Sequence, residues 1–245
     1  MKNLSPIKSL PREELVHFVN ENINSLLEDE ILAVLENPFV TPAICQKIAQ
    51  TQRLTGFYSV RLRLVAHKQT PLAHAVKFVH YLYWTDLVRL SVEVKVPAPV
   101  RRAIDTILVN RVDKLTLGER ITSAKRCSHA LIKAFLFDPD PKVFEALLVN
   151  QRLREDDILV VANSDRASPA QLQLIAADRK WSYRHSVRKA LVMNPLTPRS
   201  VSVSLLRYFS ARDLRTIHGN PSTTVYVRRC IERLHPADYN LALDA

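Results

Sequence analysis

Sliding the chain against itself by 127 residues lays 59–107, SVRLRLVAHKQTPLAHAVKFVHYLYWTDLVRLSVEVKVPAPVRRAIDTI, on 186–234, SVRKALVMNPLTPRSVSVSLLRYFSARDLRTIHGNPSTTVYVRRCIERL, without a gap. Fifteen of the 49 pairs are identical, including Thr70/Thr197, Pro71/Pro198, Tyr81/Tyr208, Asp86/Asp213 and the Val-Arg-Arg triplets at 100–102 and 227–229. Self-similarity of this kind is the signature of a repeat architecture.

One helix opening recurs inside and outside that block. Val60, Val100, Val143, Val187 and Val227 head successive segments at spacings of 40, 43, 44 and 40, the period of a helical array. Behind each Val the apolar residues return at helical spacing, as in Val187, Ala190 and Leu191, which predicts one buried stripe.

The run ALVMNPLTPRS at 190–200 then ends one helix at Asn194-Pro195 and opens another at Thr197-Pro198, with Thr expected to cap it and Pro in its first turn. His67 stands where Asn194 does and shares its place at a helix end. A third helix is expected to begin near Asp86-Leu87 and Asp213-Leu214, the latter with the capping-box spacing of Ser210 and Asp213. Three helices fit a unit of about 40 residues.

Residues 1–30 read as a separate amphipathic cap, starting at Pro11 and carrying Leu15, Phe18, Val19 and Ile23 on one face. Residues 31–245 read as one continuous helical-repeat domain. Within it 31–58 looks like an incomplete first unit that lacks a helix, because it is only 29 residues long before the next anchor.

Composition narrows the choices further. Only Gly56, Gly118 and Gly219 occur among 245 residues, so Gly-rich phosphate loops, dinucleotide fingerprints and primed hairpin turns have no backbone to be built from. Fourteen prolines take over the punctuation, and the fold class expected is all-α. No stretch is apolar enough for a membrane span, the N-terminal sequence shows no apolar signal segment, and a cytoplasmic location is expected. Cys45, Cys127 and Cys230 are far apart, with no metal-ligand spacing, and are expected to be reduced and buried. The net charge of +11 favours an acidic partner without naming one.

The helix openings DPDPKVFEALLVN, SVRKALVMNPLTP and PVRRAI resemble those of HEAT and armadillo repeats, and the N-P-x-T-P punctuation resembles bacterial leucine-rich-repeat-variant proteins. The resemblance covers roughly residues 30–235 and implies a right-handed α-α superhelix that acts as a scaffold rather than an enzyme. The cysteine cluster that holds an iron-sulfur centre in some variant-repeat proteins has no counterpart here, so no cofactor is carried over.

Arg61, Arg101, Arg102, Arg188, Arg228 and Arg229 recur at equivalent places and admit two roles. In one they line up as a ligand-facing row that grips carboxylates or phosphates. In the other they form an Asp-Arg ladder of the HEAT kind, with Asp86, Asp138 and Asp213 as partners. Lys114, Arg120, Lys125, Arg126 and Lys133 add a second basic concentration, read as a solvated face.

Tyr81, Trp84 and Trp181 stand among charged residues, where exposed rings could stack on bases, although buried packing explains tryptophans equally. The acidic runs 28–30 and 155–157 suit helix N-termini. The reading that follows is a non-enzymatic scaffold for an acidic protein partner along a basic surface, with no metal and no cofactor. Its alternative is a nucleic-acid-binding HEAT-like protein. A third reading, on the analogy of HEAT-like alkylpurine DNA glycosylases, places Asp86 and Trp84 in a basic groove.

Overall fold

The computed structural model describes residues 4–234, and among them every regular element is a helix. The described chain falls into two compact units, one of residues 4–115 with 126–131 and the other of 116–125 with 132–234.

In the first unit, two N-terminal helices, Ser5–Ser9 and Arg12–Asn22, precede Glu28–Glu36, Pro42–Gln50, the single turn Gln52–Thr55, Tyr58–Ala66, Leu72–Val79, Trp84–Val92 and Ala98–Arg111. In the second, Leu117–Ala124 and Pro141–Leu148 precede Glu155–Ala162, Pro169–Ala177, the single turn Arg179–Ser182, His185–Met193, Arg199–Leu206, Ala211–Gly219 and Val225–Leu234. The helix His129–Phe135 straddles the division between the units.

The helix starts at 28, 42, 52, 58, 72, 84 and 98 reappear at 155, 169, 179, 185, 199, 211 and 225, each displaced by 127. The duplication therefore begins at residue 28, well before the block that sequence comparison picks out. EDEILAV at 28–34 and EDDILVV at 155–161 are the traces of it. The segment 31–58 lacks no helix, since its sister 158–185 has the same two helices and the same single turn.

What makes the copies fold alike is their buried stripe. Ile31, Val34, Val60, Leu64, Val65, Leu87 and Ile104 are buried, and so are Ile158, Val161, Val187, Leu191, Val192, Leu214 and Ile231 at the matching positions. Each such side chain contributes about 1.5–3 kcal/mol when withdrawn from water. Because the stripe is one-sided, each helix must lie against neighbours: Glu28–Glu36 and Leu72–Val79 pack on Tyr58–Ala66, as Glu155–Ala162 and Arg199–Leu206 pack on His185–Met193.

The corners use polar side chains. Asn194 ends His185–Met193, accepts from the Leu196 amide at 2.9 Å, and donates through Nδ2 to the carbonyls of Ala162 and Ser164 at 2.8 and 3.0 Å. Asn37 and Asn150 do the same, tying Ile7, Leu10 and Ala124 to turns at Phe39 and Arg152. An Asx side chain thus closes its own turn and also pins the preceding helix, which satisfies buried carbonyls that water cannot reach.

The expected proline corner divides into two forms. Thr41 and Ser168 sit at the N-cap with Pro at the first turn, and their hydroxyls accept from the amides of Ile44 and Gln171. At Leu72–Val79 and Arg199–Leu206 the cap position is Pro71 and Pro198 itself. Thr70 and Thr197 are therefore one residue too early to reach the first-turn amides, and their hydroxyls are buried without capping the helix. The Ser210–Asp213 cap forms as expected, with Ser210 Oγ accepting from the Asp213 amide at 3.2 Å.

Candidate functional site

The recurrent arginines are held mainly by neighbours within their own copy. Arg61 stands 5.8 Å from the ring centroid of Tyr81, and Arg188 stands 4.4 Å from that of Tyr208, the matching pair in the second copy. Arg188 also donates from Nε to the Ser182 carbonyl at 2.6 Å, and Arg228 donates to the carbonyl of Asn220 at 2.9 Å. The Nε atoms of Arg61, Arg101 and Arg228 are buried, which leaves those side chains little freedom to swing toward a ligand. Arg102 and Arg229 are exposed in both copies.

Neither of the repeated aspartates engages a recurrent arginine. Asp86 accepts from the Tyr58 hydroxyl at 2.5 Å and from Arg89 at 2.8 Å, and Asp213 accepts from Ser210 Oγ at 2.6 Å with His185 Nε2 3.5 Å away. Asp138 pairs with Arg120 at 3.4 Å. The ladder is replaced by local contacts because Tyr58 and His185, one helix back and at equivalent positions, reach the aspartates first. Arg120, read from sequence as part of a solvated face, is thus an ion-pair partner of a buried carboxylate.

The aromatic residues separate as well. Trp181 is buried at the position of Leu54, Trp84 is half-buried at the first residue of its helix, and Tyr81 is exposed against Arg61. None of the nine residues Arg61, Arg101, Arg102, Arg188, Arg228, Arg229, Tyr81, Trp84 and Trp181 lines the groove described next.

That groove, about 710 Å³ in volume, lies in the first unit across Glu28–Glu36, Tyr58–Ala66 and Trp84–Val92. Leu32, Leu62, Leu90 and Val96 give it an apolar floor. Arg63, Lys68, Arg89 and Lys95 stand exposed around it, with Glu93 as the one acidic residue in its lining. Arg63 lies 3.8 Å from Glu36, which is already bound to Lys8 at 2.7 Å, so that carboxylate is shared between two cations. The Lys8 hydrogen bond above all holds the Glu36 carboxyl below its ordinary range. At the back of the groove His67 Nδ1 accepts from the Gln69 amide at 3.2 Å and lies 3.6 Å from Cys45 Sγ. Burial, then Arg63 and Lys68, lowers the affinity of His67 for a proton, and burial pushes the Cys45 thiol up to about 11.

The second unit has a smaller cavity of about 340 Å³ at the matching place, lined by Ala190, Pro195, Asn220 and Ser222 among others. It holds one carboxylate, Asp165, and no cation. Among the described residues, no group of three or more His, Cys, Asp or Glu is placed to hold a metal ion, and no helix is long and apolar enough to cross a membrane.

The groove cations escaped the sequence reading because the search for candidates followed recurrence, and these residues do not recur. The signal that could have found them is the opposite one: Arg63, Lys68, Arg89 and Lys95 align with Ala190, Pro195, Thr216 and Ser222. No protein-family model, curated protein or solved structure matches the chain.

Proposed function

We propose that this protein is a non-enzymatic cytoplasmic adaptor of the HEAT/armadillo-like α-solenoid kind, which uses a basic surface to hold an acidic protein partner. The observation that carries the reading is the groove of the first unit, where four exposed cations surround an apolar floor. Cations around buried apolar area are how an interface obtains both orientation and affinity. Binding of fluorescent polyglutamate, compared with a single-stranded RNA of equal charge at 50–300 mM salt, tests it. Tighter binding of the polypeptide is expected, and tighter binding of the RNA would replace this reading with the nucleic-acid one.

The alternative, a nucleic-acid-binding HEAT-like protein, draws on Arg102 and Arg229, exposed in both copies. On that reading a double charge reversal, Arg102→Glu with Arg229→Glu, lowers RNA affinity and flattens its salt dependence. A variant that leaves both unchanged removes those residues from consideration.

A further inference from the structure

The internal duplication supplies a control that a single-copy protein lacks. Both copies build the same helices with the same boundaries and the same buried stripe, so a residue kept in both is one the hairpin packing uses, and one present in only one copy is not needed for that packing. Applied to the first-unit groove, this comparison is one-sided. All four cations are absent from the second copy, where Ala190, Pro195, Thr216 and Ser222 serve the same helices and corners. Two floor residues are absent as well, Leu62 and Val96 being matched by Lys189 and Thr223, whereas Leu32 recurs as Leu159. The first copy therefore carries a charged rim and an apolar floor that its fold does not require.

Both features are also unfavourable in the free protein. Four like charges around one groove repel each other, and Leu32 and Leu62 remain partly open to water there. A ligand that relieves both needs carboxylates and apolar side chains together. A nucleic acid strand suits the site less well: no aromatic side chain lines it for bases to stack on, and Glu93 in the lining with Glu36 beside Arg63 would face the phosphates. A free polyanion would leave the floor exposed.

Resting on the adaptor reading above, we infer that the first-unit groove is the docking site, and that its occupant is an acidic amphipathic protein segment whose apolar side chains cover Leu32, Leu62, Leu90 and Val96 while its carboxylates meet Arg63, Lys68, Arg89 and Lys95. The cavity of the second unit takes no part. Groove recognition of an amphipathic segment through spaced apolar anchors is a general binding mode, and opposite charge around the anchors sets its orientation.

The test exchanges the rim for the residues of the sister copy: Arg63→Ala, Arg89→Thr and Lys95→Ser in one full-length variant. The matching helices of the second unit fold with these residues in place, and an unchanged thermal transition verifies that the variant folds. The probe is a fluorescent peptide of glutamate and leucine in helical register, read by anisotropy against the same peptide with glutamine for glutamate and against polyglutamate. The wild type should bind the acidic amphipathic peptide more tightly than either control, and the exchange should weaken it about tenfold or more, a loss of roughly 1.4 kcal/mol. Equal binding by wild type and variant overturns the site and leaves the adaptor reading standing. Failure of every acidic polypeptide to bind the wild type overturns the adaptor reading itself. Polyglutamate binding as tightly as the amphipathic peptide overturns the role given to the apolar floor.

Discussion

The two copies of the duplicated segment share their helix boundaries, yet they spend their polar residues differently. The first concentrates cations around a groove: Arg63, Lys68, Arg89 and Lys95. The second lays its cations over rings: Arg188 over Tyr183 and Tyr208, Arg199 over Tyr226, and Lys180 over Trp181. Arg61/Tyr81 and Arg188/Tyr208 are common to both, as are Glu28 accepting from Ser59 and Glu155 accepting from Ser186. The lesson is that recurrence in this chain marks the fasteners of the fold, and difference marks the residues free to do something else.

The comparison is broken most forcefully in the core. Leu54 and Trp181 fill the same buried position, so Trp181→Ala should destabilise the protein by about 3–5 kcal/mol in urea unfolding, the usual cost of truncating a buried aromatic. Trp181→Leu should cost much less, because the sister copy closes around leucine there and the buried Trp181 Nε1 has no hydrogen-bond partner to lose. Equal costs for the two variants would mean that the copies pack differently at this point.

A second, smaller effect concerns the corners. Asn194→Ala removes three hydrogen bonds to backbone groups and should cost about 1–3 kcal/mol. Asn194→His should cost less, since His67 closes the corresponding turn by accepting from Gln69. A histidine variant as unstable as the alanine one would show that pinning the preceding helix, rather than closing the turn, is the larger part of the contribution.

The smallest effect is in pH dependence, and it separates the copies by sign. The Ser210 hydrogen bond, followed by His185, holds the Asp213 carboxyl below its usual range, so its stabilisation is present above about pH 4 and is lost as the pH falls through the folded value. Burial, then the hydrogen bond to Asp86, pushes the Tyr58 hydroxyl up, so its contribution is whole below about pH 10 and is lost as the pH rises through the folded value. Asp213→Asn should therefore reduce the acid-side slope of the urea midpoint, and Tyr58→Phe the alkaline-side slope. Slopes that change on the opposite sides would refute the assignment.

Much of this architecture is legible in the sequence because burial and chain geometry leave periodic marks. The valines at 60, 100, 143, 187 and 227 are all buried, and the break at Asn194-Pro195 is a corner. The earlier part of the duplication was missed because its conserved residues, such as Ile31/Ile158 and Ile48/Ile175, lie among substitutions like Leu54/Trp181 that preserve burial and not identity. The ladder was mistaken for a different reason. Spacing shows that Arg61 and Asp86 both recur, but not that Tyr58 and His185 stand nearer to the aspartates. The groove depends on which exposed side chains converge across three helices, and residues that converge only in space leave no period along the chain.

The constant displacement of the helix starts has one more consequence. Since corners and helices have equal lengths in both copies, a crossover in the gene between any two matching codons from residue 28 onward would remove or add 127 residues without altering the length of a single corner. The two copies are thus interchangeable cassettes at the level of inheritance, and chains with one or three of them could arise from this one in a single step.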